Sequence, residues 1–367
     1  MPASSTADPG RFPAVTARAI LPILAALTLP AGPILGRAAG QPAQAPAAAP
    51  GAAATAPAGD APAKPAGERL KLATSDGFTV AAWHYPAKRP ETDGAPPPPP
   101  PVAILLHDLG GSHQSLEPLA LELQSRGITA VVPDLRGHGA TKGPEDRILD
   151  PKSIKKADFD AMVTTSGGRV RDQAANRGDV EAVRTWIKEQ SEAGKLDGGR
   201  LVVVGSGVGA AVAAQWAAAD AAWPDLASGA QGRTVRGLVL VSPAWTTRGF
   251  SISPALAAEP VRRTLPVLVI GGVKDADATK IYDQLKRQRP DAWKERRPGQ
   301  REPRQAPKLE EAKEADDARP SLYLWVLDTQ LTGDRLAAWV PRDRAVAGDW
   351  PADLIERFLS TLTDAAR

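Results

Sequence analysis

The residues that could do chemistry sit in four short stretches, each at the end of an apolar run. They are Leu106-His107-Asp108-Leu109-Gly110-Gly111-Ser112, Pro133-Asp134-Leu135-Arg136-Gly137-His138-Gly139, Val204-Gly205-Ser206-Gly207-Val208-Gly209 and Gly271-Gly272-Val273-Lys274-Asp275. The third stretch has glycines two places before and two places after Gly207. Acyl hydrolysis needs that spacing around its nucleophile, because a strand and a helix come close at a sharp elbow. Gly207 has no side chain with which to attack a carbonyl. Ser206 offers the nearest hydroxyl, but Val204 and Val208 would flank it, and both are too bulky for such an elbow. The same residues also read as G-x-G-x-x-A from Gly205 to Ala210, a fingerprint for a dinucleotide pyrophosphate at a helix N-terminus. The next apolar run ends in Ser242-Pro243 and brings no acid for a ribose, so that fingerprint stands alone.

A base is as hard to find as a nucleophile. The four histidines, His84, His107, His113 and His138, all lie in the first half of the chain. None pairs with another at i, i+4, and there is no cysteine. Disulfides, thiolate metal sites and a cysteine nucleophile are thereby excluded, and neither a metal nor a cofactor is expected. Lys plus Arg is 45 against 42 for Asp plus Glu, a net charge of +3 in 367 residues. So even a balance gives no reason to expect a nucleic-acid partner.

The elements that must position these stretches follow from periodicity. Leu70–Ala73 and Phe78–Trp83 alternate about Ser75-Asp76-Gly77 and predict a hairpin. Val102–Leu106, Ile128–Val132, Leu201–Val204, Val235–Val241, Leu265–Ile270 and Leu322–Val326 are short continuous apolar runs, as buried parallel strands require. Leu116, Leu119, Ala120 and Leu123 recur at helical spacing, with Gly127 as the stop. Asp179 stands where an N-cap would, ahead of Val180, Val183, Trp186 and Ile187. An Ala-rich helix is expected from Val208 to Ala222, and an amphipathic one through Leu354, Ile355, Phe358 and Leu362 after Asp349. Strands alternating with helices predict an α/β fold with a doubly wound, mostly parallel sheet.

Other segments stand outside that pattern. Arg11 and Arg18 precede an apolar stretch, 19–29, and small residues follow at 38–40 and 43–45. This order predicts an export signal or N-terminal anchor over 1–40. Residues 41–66 are nearly all Ala, Pro, Gly, Gln and Thr and predict a disordered linker. Pro96–Pro101 predicts a stiff spur between strands. Residues 144–177 lack a period and are expected as a small lid or an irregular excursion. Residues 286–319 run from basic to acidic and are expected as a solvated insertion or a self-pairing helical arm. His84 and His113 are expected at the surface or in loops.

Taken in order, the four stretches resemble the α/β-hydrolase superfamily, nearest its serine aminopeptidase and monoacylglycerol-lipase-like branch, from residue 67 to the C-terminus. The resemblance places the family's nucleophile at Gly207 and its acid at Asp275. It places the oxyanion amides at Leu109 and Val208, with Asp108 where the family has glycine. A carboxylate beside that hole would oppose developing negative charge. The family's histidine belongs between the charged insertion and the last helix, yet Leu327–Trp350 holds none, and a restoring His is expected to belong in 342–348. His107 and His138 match loop-holding positions. Asp275, without its histidine, is expected to cap a loop.

The expectation is an exported, periplasmic or envelope protein of this fold that does not catalyse and instead binds a small ligand or an envelope protein. The alternatives are a serine ester or amide hydrolase with a non-standard triad built on Ser206, and a nucleotide-binding module.

Overall fold

In the computed structural model, residues 67–89, 97–164, 177–224, 232–307, 321–343 and 349–363 are described. The expected signal or anchor at 1–40 and the linker at 41–66 lie outside them. So do 308–320, the second half of the expected insertion, and 344–348.

The predicted runs become the strands. A hairpin pairs β1 (Glu68–Ala73) with β2 (Thr79–Tyr85). The strands β3 (Pro101–Leu106), β4 (Thr129–Pro133), β5 (Asp197–Ser206) and β6 (Val235–Val241) follow. A two-residue hairpin, β7 (Thr246–Thr247) and β8 (Phe250–Ser251), stands apart from the main sheet. Then come β9 (Val267–Gly272), β10 (Trp293–Arg296), β11 (Arg304–Gln305) and β12 (Leu322–Leu327). The main sheet has the order β1-β2-β4-β3-β5-β6-β9-β12-β10-β11. It is parallel from β4 through β10 and antiparallel at its two edges.

Both faces of the central strands are covered, which is why their sequences do not alternate. Ile104 and Val203 point into one core with Phe159, Val183 and Trp216. Their neighbours Leu105 and Val204 point into the other, with Leu119, Ile355 and Phe358. The first face carries α2 (Lys156–Val163), α3 (Asp179–Glu192), α4 (Val208–Ala222), α5 (Ser253–Ala257) and α6 (Ala276–Gln288). The second carries α1 (His113–Ser125) and the closing helix Pro351–Thr363. Among the described residues, no helix is long and apolar enough to cross a membrane.

Four expectations need correction. Asp179 is not the N-cap of α3; Gly178 is, and Asp179 opens the first turn. Its fully buried carboxylate instead holds Arg136, accepting from Nη2 at 2.7 Å, Nε at 3.0 Å and the backbone amide at 2.8 Å. An isolated Arg at that depth would be costly, so the local cap is given up for a long-range pair. Arg136 also reaches Asp76 of the first hairpin turn at 2.7 Å and lies over the Phe78 ring.

The excursion at 144–177 is not merely irregular, because α2 buries Phe159, Met162 and Val163. The expected insertion opens in the last turn of α6 and then joins the sheet. Trp293–Arg296 pairs with β12, and β11 pairs back onto it. The cluster explains this: Glu295 is buried, and Lys286 and Arg304 reach it from either side. Nor are His84 and His113 surface residues. His113 stacks on Trp83 at 3.3 Å and meets the buried Asp134 at 3.0 Å, while His84 packs edge-on against Trp186. Of the proline run, residues 97–100 lead into β3, and three of their carbonyls accept from Arg89, Arg200 and the Asp197 amide.

Candidate active site

The site lies at the carboxyl ends of β3, β5, β9 and β12, where an open parallel sheet offers its crevice. The elbow is formed. Gly207 joins β5 to α4 with φ 55 and ψ −119, a conformation essentially reserved for glycine. Its amide donates to Val241 O at 3.1 Å and its carbonyl accepts from Ala244 N at 3.0 Å, so neighbouring loops hold the turn. Gly205 and Gly209 serve close packing. A Cβ on Gly205 would strike the backbone of Ala210, and one on Gly209 would lie 2.5 Å from the carbonyl oxygens of Leu106 and His107.

The Asp108 side chain occupies the space in front of Gly207. A Cβ on Gly207 would fall inside the Asp108 carboxylate. Oδ1 accepts from the Leu109 amide and from the Val208 amide, each at 2.8 Å. The two amides that the resemblance names therefore converge on one oxygen, and that oxygen belongs to the protein. This corrects the expectation that Asp108 would stand beside the hole and repel charge: it fills the hole. Burial pushes its carboxyl above the ordinary carboxylate value, the two amides oppose that, and Asp334 adds to it.

The loop after β12 closes the arrangement. Asp334 Oδ1 accepts from the Asp108 amide at 2.8 Å, and Oδ2 accepts from the Ser115 hydroxyl at 2.6 Å. Gly333 is beside the Asp108 carboxylate, where a Cβ would come 2.8 Å from Oδ2. The segment facing the elbow is thus 332–334, ahead of the 342–348 stretch that the sequence pointed to. Of the latter, Arg342 and Asp343 are described.

The remaining candidates take their places around this centre. His107 is fully buried; Nδ1 donates to Asp108 O at 2.8 Å, and Nε2 accepts from the Leu135 amide at 3.1 Å. His138 Nε2 accepts from the Gly110 amide at 2.9 Å, and Nδ1 donates to Arg136 O at 3.2 Å. These bonds fix each imidazole in its neutral form. Burial lowers the pKa of both, that of His138 to about 4. Each ring ties the loop that carries Asp108 to the loop after β4, and each spends both nitrogens doing so. Asp275 caps α6 by accepting from Ala278 N at 3.0 Å. Burial raises its carboxyl pKa, and hydrogen bonds from the Ser242 side chain and the Ala278 amide oppose that. Ser206 ends β5 with its hydroxyl buried and, among the described residues, without a partner.

A pyrophosphate at the start of α4, as the nucleotide alternative requires, would need the Val208 amide that Asp108 holds, with backbone packed against Gly205 and Gly209 and the Asp108 carboxylate in front of Gly207. Sequence reasoning missed Asp334 and Ser115. Asp334 lies 226 residues from Asp108, and no spacing signals that contact. Among the described residues, no group of three or more His, Asp or Glu side chains could hold a metal ion.

Comparison with known proteins gives a family. The family model described as the alpha/beta hydrolase family matches residues 103–361, well over half of the chain. No curated protein matches. Among solved structures, the chain is similar to an epoxide hydrolase from Vigna radiata, with 19% identity over 48% of this chain and 38% of that one and a TM-score of 0.29. It is similar to a thermostable carboxyl esterase from Bacillus coagulans, with 17% identity over 49% of this chain and 45% of that one and a TM-score of 0.31. It is also similar to a dienelactone hydrolase from Anabaena variabilis, with 12% identity over 81% of this chain and 98% of that one and a TM-score of 0.43. The chain spans less than half the length of the first two.

Proposed function

The chain belongs to the alpha/beta hydrolase family, and we propose that it is a non-catalytic member, exported to the cell envelope, that works by binding a small ligand or an envelope protein. The observation that carries this reading is the Asp108 carboxylate seated on the Leu109 and Val208 amides in front of Gly207. Those amides stabilise a substrate oxyanion only if they are free to do so. Here a substrate carbonyl would have to displace an anion, and would then meet a glycine.

Two further features agree. Asp275 is engaged by the Ala278 amide and the Ser242 side chain rather than by an imidazole. His107 and His138 have no nitrogen to spare for proton transfer. Removing a nucleophile or base from a working triad already costs several orders of magnitude in rate. Export rests on the charged-then-apolar order at 11–29.

The test is hydrolysis of p-nitrophenyl acetate and butyrate by the purified protein and by Ser206→Ala. Equal rates in both, at the level of a non-enzymatic protein control, are expected. A rate above that control which falls in Ser206→Ala, with the fold intact, would restore the serine hydrolase reading.

A further inference from the structure

A cavity of about 420 Å³ lies at the amino ends of β6 and β9, the pole of the parallel sheet opposite Gly207. That size falls within the range of small-molecule sites. Its walls are the last turns of α4, the start of β6 and the turn that leads into β9. This last turn, Pro260–Thr264, is a single π turn, closed by the Leu265 amide on Pro260 O at 2.8 Å. Such turns are rare and recur at functional sites. Here it sets Pro260 and Leu265 on the wall with Val235 and makes that part of the lining apolar.

The charges around the cavity favour an anion. Arg289 is buried behind the π turn and donates to the carbonyls of Val261, Arg262, Leu265 and Ser321 and to the Ser321 hydroxyl. All of these partners are uncharged. Burial lowers its pKa to about 10, so it keeps its proton at neutral pH. An uncompensated charge in low dielectric acts through a single turn of backbone. On the β6 side stands Arg236, exposed, whose Nε donates to Gly199 O at 3.2 Å and whose two terminal nitrogens face solvent. Of the acids on the wall, Asp220 is spent on the Thr234 hydroxyl and the amides of Thr234 and Val235. Glu259 is exposed, where solvent screens it.

We propose that this cavity binds a small amphiphilic anion, a single carboxylate head on an apolar body, as in a medium-chain aliphatic carboxylate. The head pairs with Arg236 in the field of Arg289, and the body lies on Val235, Pro260 and Leu265. A guanidinium suits such a head because its planar fork donates two parallel bonds to a carboxylate. Apolar area removed from water supplies the rest of the affinity. The site goes beyond the proposed function. It lies at the other end of the sheet from the elbow and uses none of its groups, so it stands whether or not the elbow catalyses.

The experiment is a saturation-transfer NMR titration of the purified protein at pH 7 with octanoate, octylammonium and acetate. Octanoate should bind wild type saturably, with a dissociation constant on the order of millimolar, as a ligand of its size allows. Acetate lacks the apolar body and octylammonium has the wrong charge, so each should bind about tenfold more weakly or worse. Arg236→Glu reverses the charge at an exposed position and should weaken octanoate by about tenfold or more. Ala221→Trp, which fills the cavity from α4, should do the same. The proposal is overturned if wild type shows no saturable octanoate binding, if Arg236→Glu binds it undiminished, or if octylammonium binds as tightly. Should Ala221→Trp not fold, Arg236→Glu decides alone. Ester hydrolysis by wild type would sink the non-catalytic reading and leave this titration unchanged, so the two can fail separately.

Discussion

Asp108 Oδ1 and the Val208 amide, 100 residues apart in sequence, meet at 2.8 Å at the point where β5 turns into α4. That bond joins the loop after β3 to the elbow and decides what a side chain at Gly207 would encounter.

Gly207→Ser should therefore cost more than backbone strain alone. The positive φ contributes roughly 1–3 kcal/mol, and displacement of Asp108 from its two amides adds to it. In an Asp108→Gly background the second contribution vanishes, since the space is empty. A double-mutant cycle by urea unfolding should show coupling on the order of 1 kcal/mol or more between the positions. Strict additivity would mean that the two side chains do not share the space.

Asp108 should also leave a mark on the pH dependence of stability. Its folded carboxyl titrates above the ordinary value of 3.8 because it is buried. The folded state therefore binds the proton more tightly than the unfolded state. This group's contribution is most favourable below 3.8 and is lost as pH rises through the folded pKa. Asp108→Asn, which cannot ionise, should gain stability relative to wild type over that rise. Unfolding of both proteins from pH 3 to 7 checks this, and a gap that moves the opposite way would show a carboxylate stabilised by its amides.

His138 works in the other direction. Burial lowers it from 6.5 to about 4, so the unfolded chain takes up its proton first. Stability should fall as pH drops from 6.5 towards 4, by up to about 3 kcal/mol from this group. His107, lowered by burial too, adds with the same sign. His138→Gln should flatten that slope. An unchanged slope would mean that His138 is not held neutral.

Asp179→Ala tests how the loop after β4 is anchored. A lost N-cap would cost about 1 kcal/mol. Loss of the buried partner of Arg136 should cost roughly 3 kcal/mol or more, tempered because Asp76 still reaches the guanidinium. Equilibrium unfolding separates the two values.

Much of this was legible in the sequence. The central strands are continuous apolar runs because both sheet faces are covered, and Gly205, Gly207 and Gly209 mark an elbow through steric needs that are local. Long-range polar pairs were not legible. Asp179 follows a local rule for caps, yet its partner lies at Arg136, 43 residues away. Asp108 was visible as an intrusion at a glycine position, but its seat on both amides depends on how β3 and β5 pair side by side. Asp334 carries no local signal at all. The strand Trp293–Arg296 was hidden by its charge, because Glu295 is buried only by virtue of the cations around it.

The central claim, that this site holds no working nucleophile, is tested most directly by intact-mass measurement after prolonged incubation with excess fluorophosphonate. The protein should keep its unmodified mass, and peptide mapping should find Ser206 free. A single stoichiometric adduct on Ser206, abolished in Ser206→Ala, would contradict the account.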